Sequence, residues 1–285
     1  MKKIIVLTTA TALLSSCGIY TKYQPAETTP DNLYGEEVAV DDTTNFGNLP
    51  WREVFTDPQL QSLIETGLKQ NTDLLSAAQN VKAAEASLMS ARLAYAPSLG
   101  LSPQGTISSF DKNAATKTYS LPVTASWQVD LFGQLLNSKR NAQVTLKQVK
   151  AYRQAVQTLV ISNVANMYYT LLMLDRQLEI TKETAEILKR NAETMEAMKD
   201  AAMYNINSAG VEQSKAAYAQ VLATIPDIEQ SIRETENALS TFLGEAPHAI
   251  KRGVLEAQVL PTELSAGIPI QLLSNRPDVK AAEMS

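Results

Sequence analysis

Residues 160–195 read VISNVANMYYTLLMLDRQLEITKETAEILKRNAETM, and their spacing decides the architecture. Val160, Val164, Met167, Leu171, Leu174, Leu178, Thr181, Ala185, Leu188, Ala192 and Met195 follow alternating steps of four and three. A stripe with that period is the seam of a coiled coil, a packing face and not a cofactor box. Thr181 is its one polar member. Neither proline nor glycine occurs between Gln134 and Met203, which predicts a rod of roughly 70 residues, about 105 Å at 1.5 Å each. Ordinary helices average about 11–12 residues, so this one cannot fit inside a small globule. Asn205 to Gly210 breaks the rod, and a second helix from Val211 to about Leu243 returns antiparallel, with the turn near Asn207. Pro226 inside it predicts a local interruption and kink.

An earlier helical segment covers residues 57–96. Asp57-Pro58 sets a capping side chain before a proline in the first turn, and Pro97 ends the segment. Ala77, Ala78, Ala83, Ala84, Ala86 and Ala91 let a neighbouring helix approach closely.

Between the helical segments the period changes to two. From Tyr119 to Asp130 the odd positions Tyr119, Leu121, Val123, Ala125, Trp127 and Val129 are apolar. The even positions Ser120, Thr124, Ser126, Gln128 and Asp130 are polar, with Pro122 the exception. Leu99, Leu101 and Ile107 alternate with serines and Gln104 in a weaker copy. Residues 97–130 therefore read as a β-hairpin whose second strand has the roughly 9–11 residues of a tilted membrane strand. A half-buried hairpin of a soluble protein fits the same pattern. A lone hairpin cannot cross a bilayer, because its edges leave amides unpaired. Asp130 has two readings, a carboxylate facing a lumen or a cap for the helix after Phe132.

The amino terminus reads as an address. Lys2-Lys3 precede the apolar run Ile4 to Leu14, and Ser15-Ser16-Cys17-Gly18 follows. That is a secretory signal ending in a lipobox, with residues 1–16 removed and Cys17 acylated, and several acyl chains anchor stably where one does not. Residues 17–56, with Pro25, Pro30 and Pro50, read as an extended tether. Loss of Lys2 and Lys3 from 25 basic residues leaves 23 against 30 acidic. Such a balance, with no basic block, argues against nucleic acid as a partner. One cysteine and one histidine, His248, exclude a disulfide framework and a zinc-finger-type site. No apolar run reaches 18 residues, which removes a transmembrane helix but not a barrel strand.

Asn71-Thr72-Asp73-Leu74 with Ala77 has a counterpart in Arg276-Pro277-Asp278-Val279 with Ala282. Residues 131–243 then form a helical hairpin, 244–266 a linker, and 267–285 the opening of a second repeat. The sequence is expected to be incomplete at its carboxyl end.

Six passages resemble the TolC-type outer-membrane efflux factors, in their lipidated branch that serves resistance–nodulation–division pumps. They are Leu13–Gly18; WREVFTDPQLQSLI at Trp51–Ile64; NTDLLSAAQNVKAAEA at 71–86; SWQVDLFG at Ser126–Gly133; NALSTFLGEAP at Asn237–Pro247; and GIPIQLLSNRPDVKAAE at Gly267–Glu283. The resemblance implies a mainly α fold with a small β part, assembled as a homotrimer. Each subunit would give four strands to a shared 12-stranded barrel, of which this sequence holds two, above a periplasmic tunnel of long helices. It implies Ser120, Thr124, Ser126, Gln128 and Asp130 facing the lumen. It also implies a tip at Ile206, Asn207, Ser208, Ala209 and Gly210 that contacts a periplasmic membrane-fusion adaptor, which joins the duct to an inner-membrane pump. The family tip commonly reads Gly-x-Ala-Ser-x-x-Asp, and here Asn207 takes the place of its glycine; asparagine also tolerates a left-handed turn.

No phosphate-binding loop, metal-ligand spacing or nucleophile motif is present, so no cofactor follows. His248 lies in a loop, and Glu179, Glu183 and Glu186 read as a solvated face. A passive efflux duct is the leading expectation. A lipid-anchored coiled-coil scaffold without a pore explains the lipobox and heptads but not the alternating hairpin, and an enzyme has no candidate residues.

Overall fold

The computed structural model describes residues 50–109, 114–201, 207–259 and 276–285, all within the compact unit Asp41–Ser285. Cys17, Asn205 and Ile206 lie outside the described residues.

Helix α1 is the single turn Trp51–Val54, inside the stretch expected to be extended tether. The helix expected over 57–96 is two, α2 Pro58–Gln70 and α3 Thr72–Leu93. Asn71 is the reason. Its Oδ1 accepts from Asp73 N and Leu74 N at 3.1 Å, capping α3, while its Nδ2 donates to Phe242 O at 2.9 Å. A buried amide so committed holds the chain out of helical geometry. Asp57 caps α2 as the sequence indicates, its Oδ1 accepting from Gln59 N at 2.8 Å.

The long helix α4 runs unbroken over Gln134–Asp200, 67 residues and about 100 Å. Every one of the eleven seam positions is buried or half-buried. Helix α5, Ser208–Leu243, returns beside it. Lys215–Glu196 at 2.6 Å and Lys182–Glu229 at 3.0 Å join residues whose numbers have the same sum, as an antiparallel pair in constant register requires. The expected interruption at Pro226 is absent, because helix α5 passes through it. Pro226 and Leu222 both lie on the exposed face, so the carbonyl freed by the missing N–H meets water. A 3₁₀ turn, Leu255–Ala257, and helix α6, Pro277–Glu283, follow; α6 packs along α4.

The core sits where α2, α3 and α5 converge on α4. Leu60, Ile64, Val164, Tyr168, Leu171, Leu239 and Leu243 there are wholly shielded from solvent. Gly244 ends α5 with φ +76°, and a Cβ on it would stand 3.1 Å from Gln70 O. Both the left-handed turn and the close approach exclude a side chain there.

The β part differs from one long hairpin with a strand to Asp130. Strands β1 Ser98–Leu101 and β4 Val123–Ser126 pair antiparallel, as do β2 Gln104–Ser108 and β3 Thr116–Ser120. The two ladders share one register, Ser98 opposite Ser126 through Ser108 opposite Thr116. They are therefore one hairpin interrupted by Pro103 and Pro122, which cannot donate to a ladder. Ser102 N still donates to Pro122 O at 3.2 Å across the gap.

Candidate functional site

The common register sorts the hairpin by parity. Paired even positions carry Ser98 with Ser126, Gly100 with Thr124, Gln104 with Ser120, Thr106 with Thr118 and Ser108 with Thr116. Paired odd positions carry Leu99 with Ala125, Leu101 with Val123, Gly105 with Tyr119 and Ile107 with Lys117. Directly opposed residues share a face, so one face is polar apart from Gly100 and Pro122, and the other apolar apart from Lys117 at the far end. Every strand residue is exposed on the single chain. Eleven positions from Ser98 to Ser108 rise about 36 Å at 3.3 Å each, which suits an apolar band about 25 Å tall once the strands tilt.

The polar face includes the three expected residues Ser120, Thr124 and Ser126. Ser126 Oγ lies 2.7 Å from Ser98 Oγ, and Thr124 Oγ1 donates to Gly100 O at 3.4 Å. Gln128 and Asp130 lie beyond the ladder, because β4 ends at Ser126. Gln128 Nε2 points to Gln134 Oε1 at 3.5 Å. Both oxygens of Asp130 accept backbone donors of α4, from Leu135 N at 3.2 Å and Leu136 N at 2.9 Å. Those are orphan N–H groups of a helix start, so Asp130 is a cap that reaches across Gly133, whose φ is +73°. Trp127 Nε1 donates to Tyr95 O at 3.1 Å and ties the end of the hairpin to the end of α3.

At the opposite end of α4, Asn207 is not in the left-handed region. It is extended, with φ −104° and ψ 162°, and its Oδ1 accepts from Gly210 N at 2.9 Å. The asparagine works here through its side chain, as an N-cap. Ser208 and Ala209 are exposed, while Val211 is buried. The tip and the hairpin stand at the two ends of α4.

A third constellation, absent from the sequence reading, fastens the segment after α5 to the waist of the helices. Tyr168 OH donates to Asp57 Oδ2 at 2.5 Å and accepts from Gly253 N at 3.0 Å, and Gln258 Nε2 donates to the same carboxylate oxygen at 2.9 Å. Burial pushes the Asp57 carboxyl up, but donation from Tyr168, Gln258 and the N–H groups of Gln59 and Leu60 outweighs it and holds the group below its ordinary 3.8. Burial, and then the neighbouring carboxylate, raise the Tyr168 phenol well above its usual value. Arg252 forks onto Asp175, with Nε to Oδ2 at 2.5 Å and Nη2 to Oδ1 at 2.8 Å, and its Nη1 donates to Glu236 Oε1 at 2.5 Å. Donation to Asp175, against the cost of burial, and then donation to Glu236 raise this guanidinium above its usual value. Every group in the cluster is satisfied by another, which is the pattern of a fastening and not of a reaction centre. Among the described residues no group of acidic, histidine or cysteine side chains is placed to hold a metal ion.

The model of the family described as "Outer membrane efflux protein" matches residues 63–245. The cation efflux system protein CusC of Escherichia coli is 28% identical over 95% of this chain and 59% of its own. The pyoverdine export outer membrane protein OpmQ of Pseudomonas aeruginosa is 31% identical over 82% of this chain and 52% of its own. A crystal structure of CusC, 26% identical, superposes with a TM-score of 0.77 over 93% of this chain and 60% of that one. The chain thus spans about 60% of the length of the CusC relatives it matches.

Proposed function

The chain belongs to the outer membrane efflux protein family, and from that membership we propose that it is part of the outer-membrane exit duct of a tripartite efflux system. Three copies close one barrel, and small molecules driven by an inner-membrane pump pass through it by diffusion. The observation that carries this reading is the parity of the hairpin, with one face mainly polar and the other mainly apolar and exposed. A water-filled barrel in lipid asks for those two faces, and neighbouring copies supply the edge partners that a lone hairpin lacks. Ser120, Thr124 and Ser126 face the lumen, Gln128 and the capping Asp130 stand at its mouth, and Cys17 carries the lipid anchor. The duct conducts and performs no catalysis.

The tip at Asn207, Ser208, Ala209 and Gly210 meets the membrane-fusion adaptor, since the other end of α4 is taken up by the barrel. Single-channel conductance of the complete trimer tests the duct. Steady conducting levels are expected, and a heat-resistant trimer that never conducts would reduce it to a lipid-anchored scaffold. Ala209→Arg tests the tip: resistance conferred by the pump should be lost while trimers persist in the outer membrane. Unchanged resistance would place the adaptor contact elsewhere.

A further inference from the structure

The charge of α4 is divided along its length. From Leu131 to Leu174 there are five basic residues and no acidic one, whereas Asp175 to Asp200 holds seven acidic and five basic. The basic half is the half that joins the hairpin. At that junction Arg92 in the last turn of α3 and Arg140 in α4 are exposed, and among the described residues neither side chain has a hydrogen-bond or ion-pair partner. Among the described residues Lys139 has no carboxylate partner either; its Nζ lies 5.9 Å from the centre of the Tyr95 ring. The carboxylates nearest in sequence are engaged elsewhere: Asp130 caps α4, and Glu85 pairs with Lys150 at 3.1 Å.

The position of these cations follows from the hairpin. Trp127 continues the odd, apolar series Val123 and Ala125, stands 65% exposed, and donates to Tyr95 O. Trp127, Tyr95 and Lys139 therefore form one contact chain at the helical end of the apolar face. Lys139 and Arg140 are five and six residues into α4, about 8–9 Å from its start. Amphipathic rings backed by long cationic stems are the chemistry of a membrane interface, where the stems lie along apolar surface and the charges reach the headgroups.

We propose that Arg92, Lys139 and Arg140 form a collar that binds anionic phospholipid headgroups of the leaflet facing the helices. This rests on the hairpin lying in a bilayer, as proposed above. Lys139 is linked through Tyr95 to Trp127 at the foot of the apolar face, Arg140 adjoins it in α4, and Arg92 precedes Tyr95 by three residues, so charge and depth suit that ligand. Each basic residue beside an anionic leaflet contributes about a fivefold preference.

The test uses the complete protein carrying Trp51→Phe, which leaves Trp127 as the only tryptophan of these 285 residues. It is reconstituted in vesicles containing brominated phosphatidylglycerol or brominated phosphatidylcholine, and quenching of Trp127 reports the adjacent lipid. Phosphatidylglycerol should be preferred by about fivefold or more, and Arg92→Gln, Lys139→Gln and Arg140→Gln together should bring the ratio to about one. Equal quenching in the parent, or a preference that survives the triple substitution, would overturn the collar. A Val123→Trp reporter in a Trp127→Phe background separates the two levels. If it is quenched by both lipids while Trp127 shows no preference, the barrel stands and the collar falls. If it is quenched by neither, the membrane hairpin falls with it.

Discussion

Two leucines of this chain live in opposite circumstances. Leu171, at the waist of the helices, is 0% exposed, whereas Leu99 in the hairpin is 78% exposed. The waist is finished by the chain itself: α2, α3 and α5 surround α4, and the cap of Asn71 and the fork of Arg252 tie its segments together. Nothing among the described residues covers the hairpin's strands, although its faces are sorted just as strictly. Sorting without burial suits a surface completed from outside, and the proposed barrel would supply lipid on one face and water on the other. One region encodes its own partners, and the other encodes the kind of environment it needs.

The contrast breaks most directly at leucines. Leu171→Ala should lower stability by about 2–5 kcal/mol, because a cavity opens in a packed core. Leu99→Ala should change the unfolding of the helical part by less than about 0.5 kcal/mol. Denaturant unfolding followed by circular dichroism measures both, and equal costs would erase the distinction between the regions. Within the hairpin, Val123→Arg should cost about 2–4 kcal/mol in the lipid-reconstituted trimer, and Thr124→Arg far less. Heat resistance of the trimers on gels ranks the pair; the reverse order would exchange the two faces.

Smaller effects sharpen the account of the waist. Asn71→Ala removes a helix cap and leaves the buried Phe242 carbonyl without its donor, at about 1–3 kcal/mol. If the loss is confined to a few tenths, the break between α2 and α3 has another cause. The smallest effect is that of Asp57, whose folded value lies below its ordinary 3.8. A depressed carboxyl contributes stability that is present above the unfolded value and lost as pH falls through the folded one. The stability difference between the parent and Asp57→Asn should therefore be steady above about pH 5 and shrink below 3.8. A difference that instead grows in acid would show that Asp57 titrates upward.

The legible parts of the sequence are those whose signal is local. The heptad seam from Val160 to Met195, the alternation from Tyr119 to Ser126 and the cap at Asp57 each draw on neighbours a few residues away, and each stands where the spacing put it. Asp130 had two local readings, and the geometry selects the helix cap. Asn207 carried a local signal too, but a glycine-like turn and a side-chain cap share the same residue type, and only the coordinates separate them.

What sequence determined alone, then, was periodicity: where the chain is rod, where it is ribbon, and which side of each is apolar. Tertiary structure decided the pairings that periodicity cannot count. Tyr168 reaches Asp57 across 111 positions and Arg252 reaches Asp175 across 77, so neither partner leaves a trace in the other's neighbourhood. Asn71 reads as one more helical residue until the Phe242 carbonyl, 171 positions away, is beside it. The parity of the hairpin is of the same kind. Each strand shows its own alternation, but only the register that sets Ser98 against Ser126 brings the two polar sets to one face. A slip of one residue would have mixed them, because side chains on a strand change face at every step.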